Sequence, residues 1–555
     1  MKAGYVIGVD FGSDSVRTVV IDVRNGRVRG EAQSGYPRWL AGKYQNPDKR
    51  MFRQHPLDYI EAFKWCTSLA LDQAGENIRR SILAISVDAT GSTPCPVNEE
   101  GTPLALLPEF AENENAMFWL WKDHTAIDEA VRVNDVFTNF NGTDYTKYQG
   151  LYCSEWYWSK VLNVALTDPV ITKASYSWVE LCDWIPALLT GNLKPTTMYR
   201  CACGAGHKGL WHSEWQGLPP QECLTAVHPY LAKIGRTFGT SPLPADHAVG
   251  VISKEWSENL RIPREVIIGG SSLDAHAGAV GAGIRKHVCV TNLGTSAVNM
   301  LIEDAETLHG KDLKHVCGQA ENSIIPGYVG VETSQAAFGD VYAWLNDLLL
   351  WPVRNIIAHT DAIGRGERGR VCLQAEERLL IELSKQAEKL SASDELIALD
   401  WFNGRRYPNQ NELLKSGIVG LSLGIGAPAL YQTLVMATVF GQKRVIDCLI
   451  EGGIKINEII AVGGIAQKSP YIMQMMADVL DRPIQISASD QACARGAAIY
   501  AAVACGVYQS IPEAQKKLCE GFIRTYIPGS KNKKIYSSAY EKYRALGDFV
   551  EGWEG

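Results

Sequence analysis

The polarity pattern opens with two short apolar runs around a polar cluster. Tyr5–Val9 and Val16–Ile21 are apolar and rich in β-branched residues, and between them stand Asp10, Gly12, Ser13, Asp14 and Ser15. Runs of this kind flanking Gly, Ser and Asp predict a hairpin. A tight tip needs only one or two such residues, so the surplus marks a loop that holds something. Asn25-Gly26 predicts another tight turn, and the chain opens with three antiparallel strands. Ile82–Val87 predicts a buried strand that ends at Asp88 and a Gly/Ser/Thr turn. From about Gly101 to Glu255 the pattern is irregular and aromatic, with Trp119, Trp121, Trp156, Trp158, Trp178, Trp184, Trp211 and Trp215, most of them expected in the core. Glu265–Ile268 predicts a further strand, followed by a glycine turn carrying Asp274 and a small-residue helix over Ala275–Ala282.

The opening pattern then returns. "CVTNLGTSAVNMLIED" follows "IGVDFGSDSVRTVVID" position by position, with Asn292 under Asp10, Gly294 under Gly12 and Thr295 under Ser13. A duplication of this kind predicts two related α/β lobes, with the boundary near Arg285. Later, Glu458–Val462 predicts a strand, Gly463-Gly464 a turn, and Ser469-Pro470 the start of a helix. Ile472, Met475, Met476, Val479 and Leu480 give that helix one apolar face. A strand, a glycine turn and a helix start let backbone approach a nucleotide closely. "GIGAPA" (Gly424–Ala429) matches a dinucleotide fingerprint in letters only; no βαβ context surrounds it, and it reads as a helix-start turn.

Composition narrows the class. The 555 residues suggest roughly three domains, at about 150–200 residues each. No apolar run approaches the roughly 18 residues that cross a bilayer, and "MKAGYVIGVD" reads as a strand rather than a leader. The 14 cysteines lack framework spacing, which points to reduced thiols and the cytoplasm. A net charge of -7 with no long basic run excludes an obvious nucleic-acid binder.

The two tips, Gly12–Ser15 with Arg17 and Gly294–Ser296, offer N–H groups and small hydroxyls suited to phosphate oxygens. Asp10 is a hard oxygen ligand for Mg²⁺, through water. Asp274 is the candidate general base, against its plain alternative as a helix cap. "CACGAGHKGLWH" places Cys201, Cys203, His207 and His212 together, but one residue between the cysteines is shorter than zinc's usual two to four. Lys208, in the same stretch, reads from its own position as a surface lysine with a sugar hydroxyl as the alternative.

These pieces, in this order, resemble the FGGY carbohydrate kinases. The matching stretches are "DFGSDSVR", "SVDATGSTPCPV", "LWKDHTA", "SSLDAHAGAVGAG", "NLGTSAVNMLI", "GRRYPNQ" and "AVGGIAQKSPYIMQMMADVL". Within that family "PEFAENENAMFWLWKDHTA", "SEWYWSKVL", "WVELCDWIPALLTG", "GHKGLWH", "IPGYVGVETSQAAFGDVYAW" and "LDWFNGRR" are similar to the bacterial L-ribulokinase branch. The resemblance covers nearly the whole chain. It implies an α/β fold of two RNase H-like lobes, of the actin/sugar-kinase/Hsp70 type, around a central cleft. Residues 1–284 would form the sugar-binding lobe, with the aromatic-rich insertion at about 101–255, and 285–555 the adenosine-binding lobe. The implied activity is ATP-dependent phosphorylation of L-ribulose at its 5-hydroxyl, with Mg²⁺, on the L-arabinose breakdown route.

The resemblance also assigns residues. Asp10 would organise Mg²⁺, with Gly12, Ser13 and Arg17 near the phosphates. Gly294 and Thr295 would form the second phosphate loop, and Gly463, Gly464 and Gln467 the adenosine pocket. Asp274 would be the catalytic base. Lys208, Asp274 and Glu332 would hold the sugar, with Thr90, Gly91, Trp121 and Lys122 lining its pocket. Relatives usually carry Gly two residues after that glutamate, where this chain has Ser334; a turn with positive φ there would be strained by Ser. A kinase for another ketopentose or pentitol, such as D-ribulose or ribitol, and a non-catalytic ATP-binding switch are the alternatives. No nucleic-acid or membrane partner is expected, and a homodimer is expected by analogy alone.

Overall fold

A computed structural model describes residues 4–239 and 241–554. In chain order, the elements that bear on the site are β1 (Tyr5–Phe11), β2 (Ser15–Asp22), β3 (Val28–Gly35), α1 (Pro56–Ala74), β4 (Ile82–Ala89), α2 (Ala202–His207), β5 (Ala248–Val251), β6 (Ile267–Leu273), α3 (Asp274–Ala282), β7 (Val288–Leu293) and β8 (Ala297–Glu303). They continue with β9 (Gly318–Glu321), β10 (Val329–Gln335), α4 (Gly339–Asn355), α5 (Ala427–Glu451), β11 (Glu458–Val462), α6 (Gly464–Lys468), α7 (Pro470–Leu480), β12 (Ile484–Ser487), α8 (Ala492–Ala504) and β13 (Phe522–Tyr526). Packing divides the chain into two units. The first is Met1–Lys286, Met300–Glu332 and Ala488–Gly521; the second is His287–Asn299, Thr333–Ser487 and Phe522–Gly555.

The first unit is built on a six-stranded sheet in the order β5-β6-β4-β1-β2-β3. β1, β2 and β3 form the expected antiparallel meander, while β4 lies parallel to both β1 and β6. Because β1, β4 and β6 are parallel, their carboxyl ends come out on one edge, where open α/β sheets place their ligands. The register sets Asp10 opposite Asp88, and Asp88 opposite Ser272. Ile7, Val9, Val16, Val20, Ile85 and Val87 lie in the core, and α1 packs on β2 and β3.

The first unit reaches past the expected boundary at residue 284. Residues 488–521 pack with it because small residues let α8 approach β1 and α3 backbone to backbone. A Cβ on Gly8 would lie 1.8 Å from the carbonyl oxygen of Ala494, and one on Gly496 1.8 Å from that of Ala277. Residues 300–332 return as well: β9 and β10 pair with Gly318 opposite Glu332, and the Tyr500 hydroxyl donates to the carbonyl of Ile324 at 2.9 Å.

The second unit contains the sheet segment β7-β11-β12-β13. β7, β11 and β12 run parallel, with Asn292 opposite Val462, and β13 closes the edge antiparallel. β11 spans the expected residues. α6 intervenes between the Gly463 turn and α7, and although Ser469 occupies the N-cap position of α7 its side chain makes no capping bond. "GIGAPA" opens α5, with Gly426 as N-cap.

Two other expectations change. The strand expected at Glu265–Ile268 runs instead over Ile267–Leu273, through Gly269 and Gly270, where its register against β4 shifts. Neighbours crowd those glycines: a Cβ on Gly269 would lie 2.1 Å from Ser86 Oγ, so here Gly marks close approach within a strand, not a turn. The aromatic stretch is not irregular either. It folds into helices around its own core of Trp119, Phe137, Tyr152, Trp158 and Trp178. Ser334 lies within β10 and is not among the positive-φ residues, so it carries no turn strain.

Candidate active site

The acids of the first unit gather where the parallel strands end. Asp10 is the penultimate residue of β1 and Asp88 of β4, while Asp274 is the first residue of α3, directly after β6. Asp274 does not cap that helix in the usual way; its Oδ1 accepts a hydrogen bond from the Ala275 N–H at 2.7 Å. Burial pushes its carboxyl up to about 7; the charges of Asp10 and Glu332 add to the rise, and the Ala275 bond and Lys208 oppose it. A carboxyl poised near neutrality is matched to proton abstraction at pH 7.

The sugar-assigned residues come together from distant segments. Lys208 follows α2 and is 5% exposed, which replaces the surface reading. Its Nζ lies 3.5 Å from Glu332 Oε1 and 5.3 Å over the ring of Trp156. Glu332 Oε2 in turn lies 3.4 Å from His276 Nε2. Burial alone would raise Glu332, but Lys208, His276 and His207 outweigh it and hold the carboxyl at about 2. Burial pushes His276 down to about 4. An ammonium, a carboxylate and a half-buried carboxyl poised near neutrality in one cluster can pair with several hydroxyls of a polyol.

The first tip is held from outside. Tyr36 Oη donates to the carbonyl of Gly12 at 3.1 Å, Gln54 Nε2 to that of Ser13 at 2.6 Å, and Trp121 Nε1 to Ser13 Oγ at 2.9 Å. Trp39 Nε1 donates to Asp14 Oδ1 at 2.7 Å, and Arg17 Nη1 to Asp10 Oδ2 at 2.9 Å. Thr90 and Gly91 are half-buried or buried at the end of β4, with the Thr90 N–H donating to the carbonyl of Phe11 at 3.1 Å. Lys122 instead lays its ammonium over Trp39 and Phe52, 5.0 Å from each ring centroid.

The site residues fit a magnesium ion. Asp10 Oδ1 is buried without a hydrogen-bond partner, and Asp10, Asp88 and Cys493 offer ligand atoms within 4.8 Å of one another. Carboxylate oxygen suits Mg²⁺ and thiol sulfur does not, so of these groups Asp10 and Asp88 are the ones that could hold the ion.

In the second unit Gly294 and Thr295 form the tip between β7 and β8. The N–H groups of Phe338 and Gly339 donate to the carbonyls of Thr295 at 2.8 Å and Gly294 at 3.0 Å. Gly463 sits at φ +98°, and a Cβ there would lie 2.6 Å from the Leu293 carbonyl oxygen and 2.9 Å from Asn292 Oδ1. Gln467 lies in the single turn of α6, its N–H donating to the Gly463 carbonyl at 3.3 Å.

Comparison with known proteins places this geometry. A model of the C-terminal domain of the FGGY family of carbohydrate kinases matches residues 289–505. A ribulokinase of Vibrio parahaemolyticus is 42% identical over 552 residues, covering 99% of this chain and 96% of that protein. The chain belongs to the FGGY family of carbohydrate kinases. A ribulokinase of Anoxybacillus flavithermus is 32% identical, over 99% of this kinase and 95% of that one. The fold of the kinase is shared with a xylulose kinase from Rhodospirillum rubrum (TM-score 0.78, 18% identity, 99% of each chain) and a glycerol kinase from Plasmodium falciparum crystallised with ADP (TM-score 0.77, 14% identity, 98% of each chain).

Several residues of the kinase's site were not singled out from sequence. Asp88 is fully buried with neither oxygen hydrogen-bonded, and burial, reinforced by Asp10 and Asp274, pushes its carboxyl far above the ordinary range. Its signal was present, an acid closing a buried strand before a Gly/Ser/Thr turn. Lys160 and Glu180 had none. The Lys160 ammonium donates to the carbonyls of Ser92 at 2.8 Å and Leu120 at 3.0 Å, while Glu180 accepts from Ser92 Oγ and from the Thr93 N–H at 2.6 Å. Both are buried, and together they fix the loop that carries Gly91 and the segment before Trp121.

Proposed function

We propose that this kinase transfers the γ-phosphoryl group of ATP to the 5-hydroxyl of L-ribulose, giving L-ribulose 5-phosphate on the L-arabinose breakdown route. The observation that carries the reading is the joining of Lys208, Glu332 and Asp274 in one unit of a chain whose relatives, matched end to end, are named ribulokinase. Lys208 and Glu332 orient the sugar by its hydroxyls. Asp274 takes the 5-hydroxyl proton as the oxygen bonds to the γ-phosphorus and the bond to the β,γ-bridging oxygen breaks. Asp10 holds Mg²⁺, which when bound neutralises phosphate charge. Gly12, Ser13 and Arg17 serve the phosphates, as do Gly294 and Thr295; Gly463, Gly464 and Gln467 serve the adenosine. In this reading the first unit is the sugar-binding one and the second the adenosine-binding one. None of the 14 cysteines is in a disulfide, which fits the cytoplasm, and among the described residues no helix is long and apolar enough to cross a membrane.

The test is coupled ADP release with Mg-ATP across L-ribulose, D-ribulose, D-xylulose, L-xylulose, ribitol, L-arabinitol, glycerol and no sugar. The highest kcat/KM is expected with L-ribulose, with little ADP released in the absence of sugar. A better acceptor elsewhere in the panel would move the substrate to that sugar and dissolve the pocket assignment.

A further inference from the structure

The cysteine–histidine stretch that its spacing set aside is completed in the fold by a residue from far along the chain. Cys203 and His207 are four residues apart on α2 and share one face of it. His276, in the first turn of α3, brings its ring to 4.7 Å from that of His207, centroid to centroid. One ligand atom from each of Cys203, His207 and His276 lies within 4.8 Å of the other two. All three residues are at most 2% exposed. Neither ring nitrogen of His276 makes a hydrogen bond, where a buried polar atom ordinarily finds one. The other members of the stretch are engaged elsewhere: Cys201 Sγ donates to the carbonyl of Ser271 at 3.1 Å, and His212 stacks on Tyr148 at 3.8 Å.

We propose that Cys203, His207 and His276 form a binding site for a borderline-soft divalent cation, Zn²⁺ above all, with Glu332 as the fourth donor. One thiolate, two imidazoles and a carboxylate make a tetrahedral zinc set, and this set is wrong for Mg²⁺, which asks for six oxygens. At zinc bond lengths of roughly 2.0–2.3 Å, tetrahedral donors sit about 3.5 Å apart, so Cys203, His207 and His276 close in by about 1 Å through χ rotation, while Glu332, which meets the three at His276, turns in toward the ion. His207 is prepared for this. Its Nδ1 faces Gln149 Oε1 at 3.3 Å and its Nε2 faces Ser323 Oγ at 3.2 Å. With Nδ1–H donating to Gln149, Nε2 keeps a lone pair that takes the ion in place of the Ser323 hydroxyl, and the Gln149 bond then supports the ligand from outside. Coordination releases the Cys203 thiol proton to solvent.

The site adjoins the sugar residues, because Glu332 Oε2 is 3.4 Å from His276 Nε2 while its Oε1 faces Lys208. A cation on Oε2 draws the Glu332 carboxylate toward His276 and competes with Lys208 for its charge. Zinc therefore inhibits by raising KM for the sugar. That consequence rests on the sugar assignment above; the binding itself does not.

The experiment uses the full chain stripped of metal with a chelator. Zn²⁺ is titrated in competition with a chromophoric chelator, and Co²⁺ is bound in parallel for its absorption spectrum. We expect one Zn²⁺ per chain, tighter than about 1 μM, and a sulfur-to-cobalt charge-transfer band. Cys203→Ser loses the band and weakens zinc at least tenfold, yet keeps its turnover with Mg-ATP in zinc-free buffer and escapes zinc inhibition. His276→Gln, should Cys203→Ser melt early, weakens zinc likewise. Cys493→Ser, which alters the other cluster, binds zinc as the parent does. Zinc weaker than about 100 μM, or binding that survives Cys203→Ser and vanishes in Cys493→Ser, overturns the site. Stoichiometric zinc that leaves the sugar KM unmoved keeps the three-residue site and overturns Glu332 as its fourth donor if Glu332→Gln binds zinc as the parent does, or as a sugar ligand if Glu332→Gln weakens zinc.

Discussion

The two hairpin tips share a sequence pattern and differ in what surrounds them. In the first unit β1 carries Asp10 next to its end and its parallel neighbour β4 carries Asp88 likewise; in the second unit β7 carries Asn292 next to its end and its parallel neighbour β11 ends in Val462. The first tip is steadied mostly by side chains, namely Tyr36, Gln54, Trp39 and Trp121, with one main-chain bond from the Tyr36 N–H to the Asp14 carbonyl at 3.3 Å. The second is steadied by main-chain bonds from Phe338 and Gly339 and abutted by Gly463. One pattern thus offers two kinds of surface. Where strand ends carry acids, they can hold a cation and take a proton. Where they carry neutral groups and glycine, backbone is free to approach an anion.

The comparison breaks first at Asp274. Asp274→Asn should lower kcat by about 10²–10⁴ in the coupled assay, since an amide cannot accept the proton; near-normal turnover would remove the base from the acidic edge. In the parent, kcat/KM for the sugar should rise with pH up to a limb near 7, because the buried carboxyl must ionise. The linkage runs the other way for stability. A carboxyl held above its ordinary 3.8 contributes stability that is present below about 4 and lost as pH rises through 7. Asp274→Asn should therefore raise the melting temperature at pH 8 and leave it unchanged at pH 4.

Next comes Gly463→Ala. At φ +98° and with 2.6 Å of room, the added Cβ should cost about 1–3 kcal/mol locally and raise the KM for ATP roughly ten-fold or more, with sugar KM little changed. Equal effects on both KM values would mean that the two units do not divide the substrates. Asn292→Asp copies the first tip's acid into the second. Without a cation to answer it, the new charge should weaken ATP about ten-fold, an effect that shrinks at high salt; unchanged nucleotide affinity would dissolve the distinction between the tips. The smallest effect belongs to Trp121→Phe, which removes one neutral hydrogen bond to Ser13 at 2.9 Å. Such a bond is worth about 0.5–1.5 kcal/mol, so ATP KM should rise roughly two- to ten-fold, and kinetics at saturating sugar would read it.

Much of this was legible along the chain. Alternating and β-branched runs marked β1, β2, β4 and β11, and the opening hairpin and its repeat were visible as a pattern of strand, polar residue, glycine, hydroxyl and strand. Asp10, Asp88 and Asp274 each stood where an apolar run met small residues. Other parts were not legible. Gly269 and Gly270 read as a turn because a glycine looks the same whether it bends the chain or admits a neighbour, and Ser86 decides which. Lys208 read as a surface residue because its counter-charge, Glu332, lies far along the chain. Lys160 and Glu180 gave no signal, since their partners are mostly loop carbonyls and a hydroxyl of no distinctive composition.

The sequence by itself therefore determined the local elements, the duplicated hairpin and the family, all of which depend on neighbours within a few residues or on pattern. Only the tertiary structure decided that residues 488–521 close the first unit, since Gly8 and Gly496 reveal their use only when α8 lies against β1 and α3. It also decided which charges meet. Glu332 is held low by Lys208, and Asp274 is lifted by burial and by Asp10. Electrostatic energies depend on distance and dielectric between side chains, and those are properties of the fold and not of the order of residues.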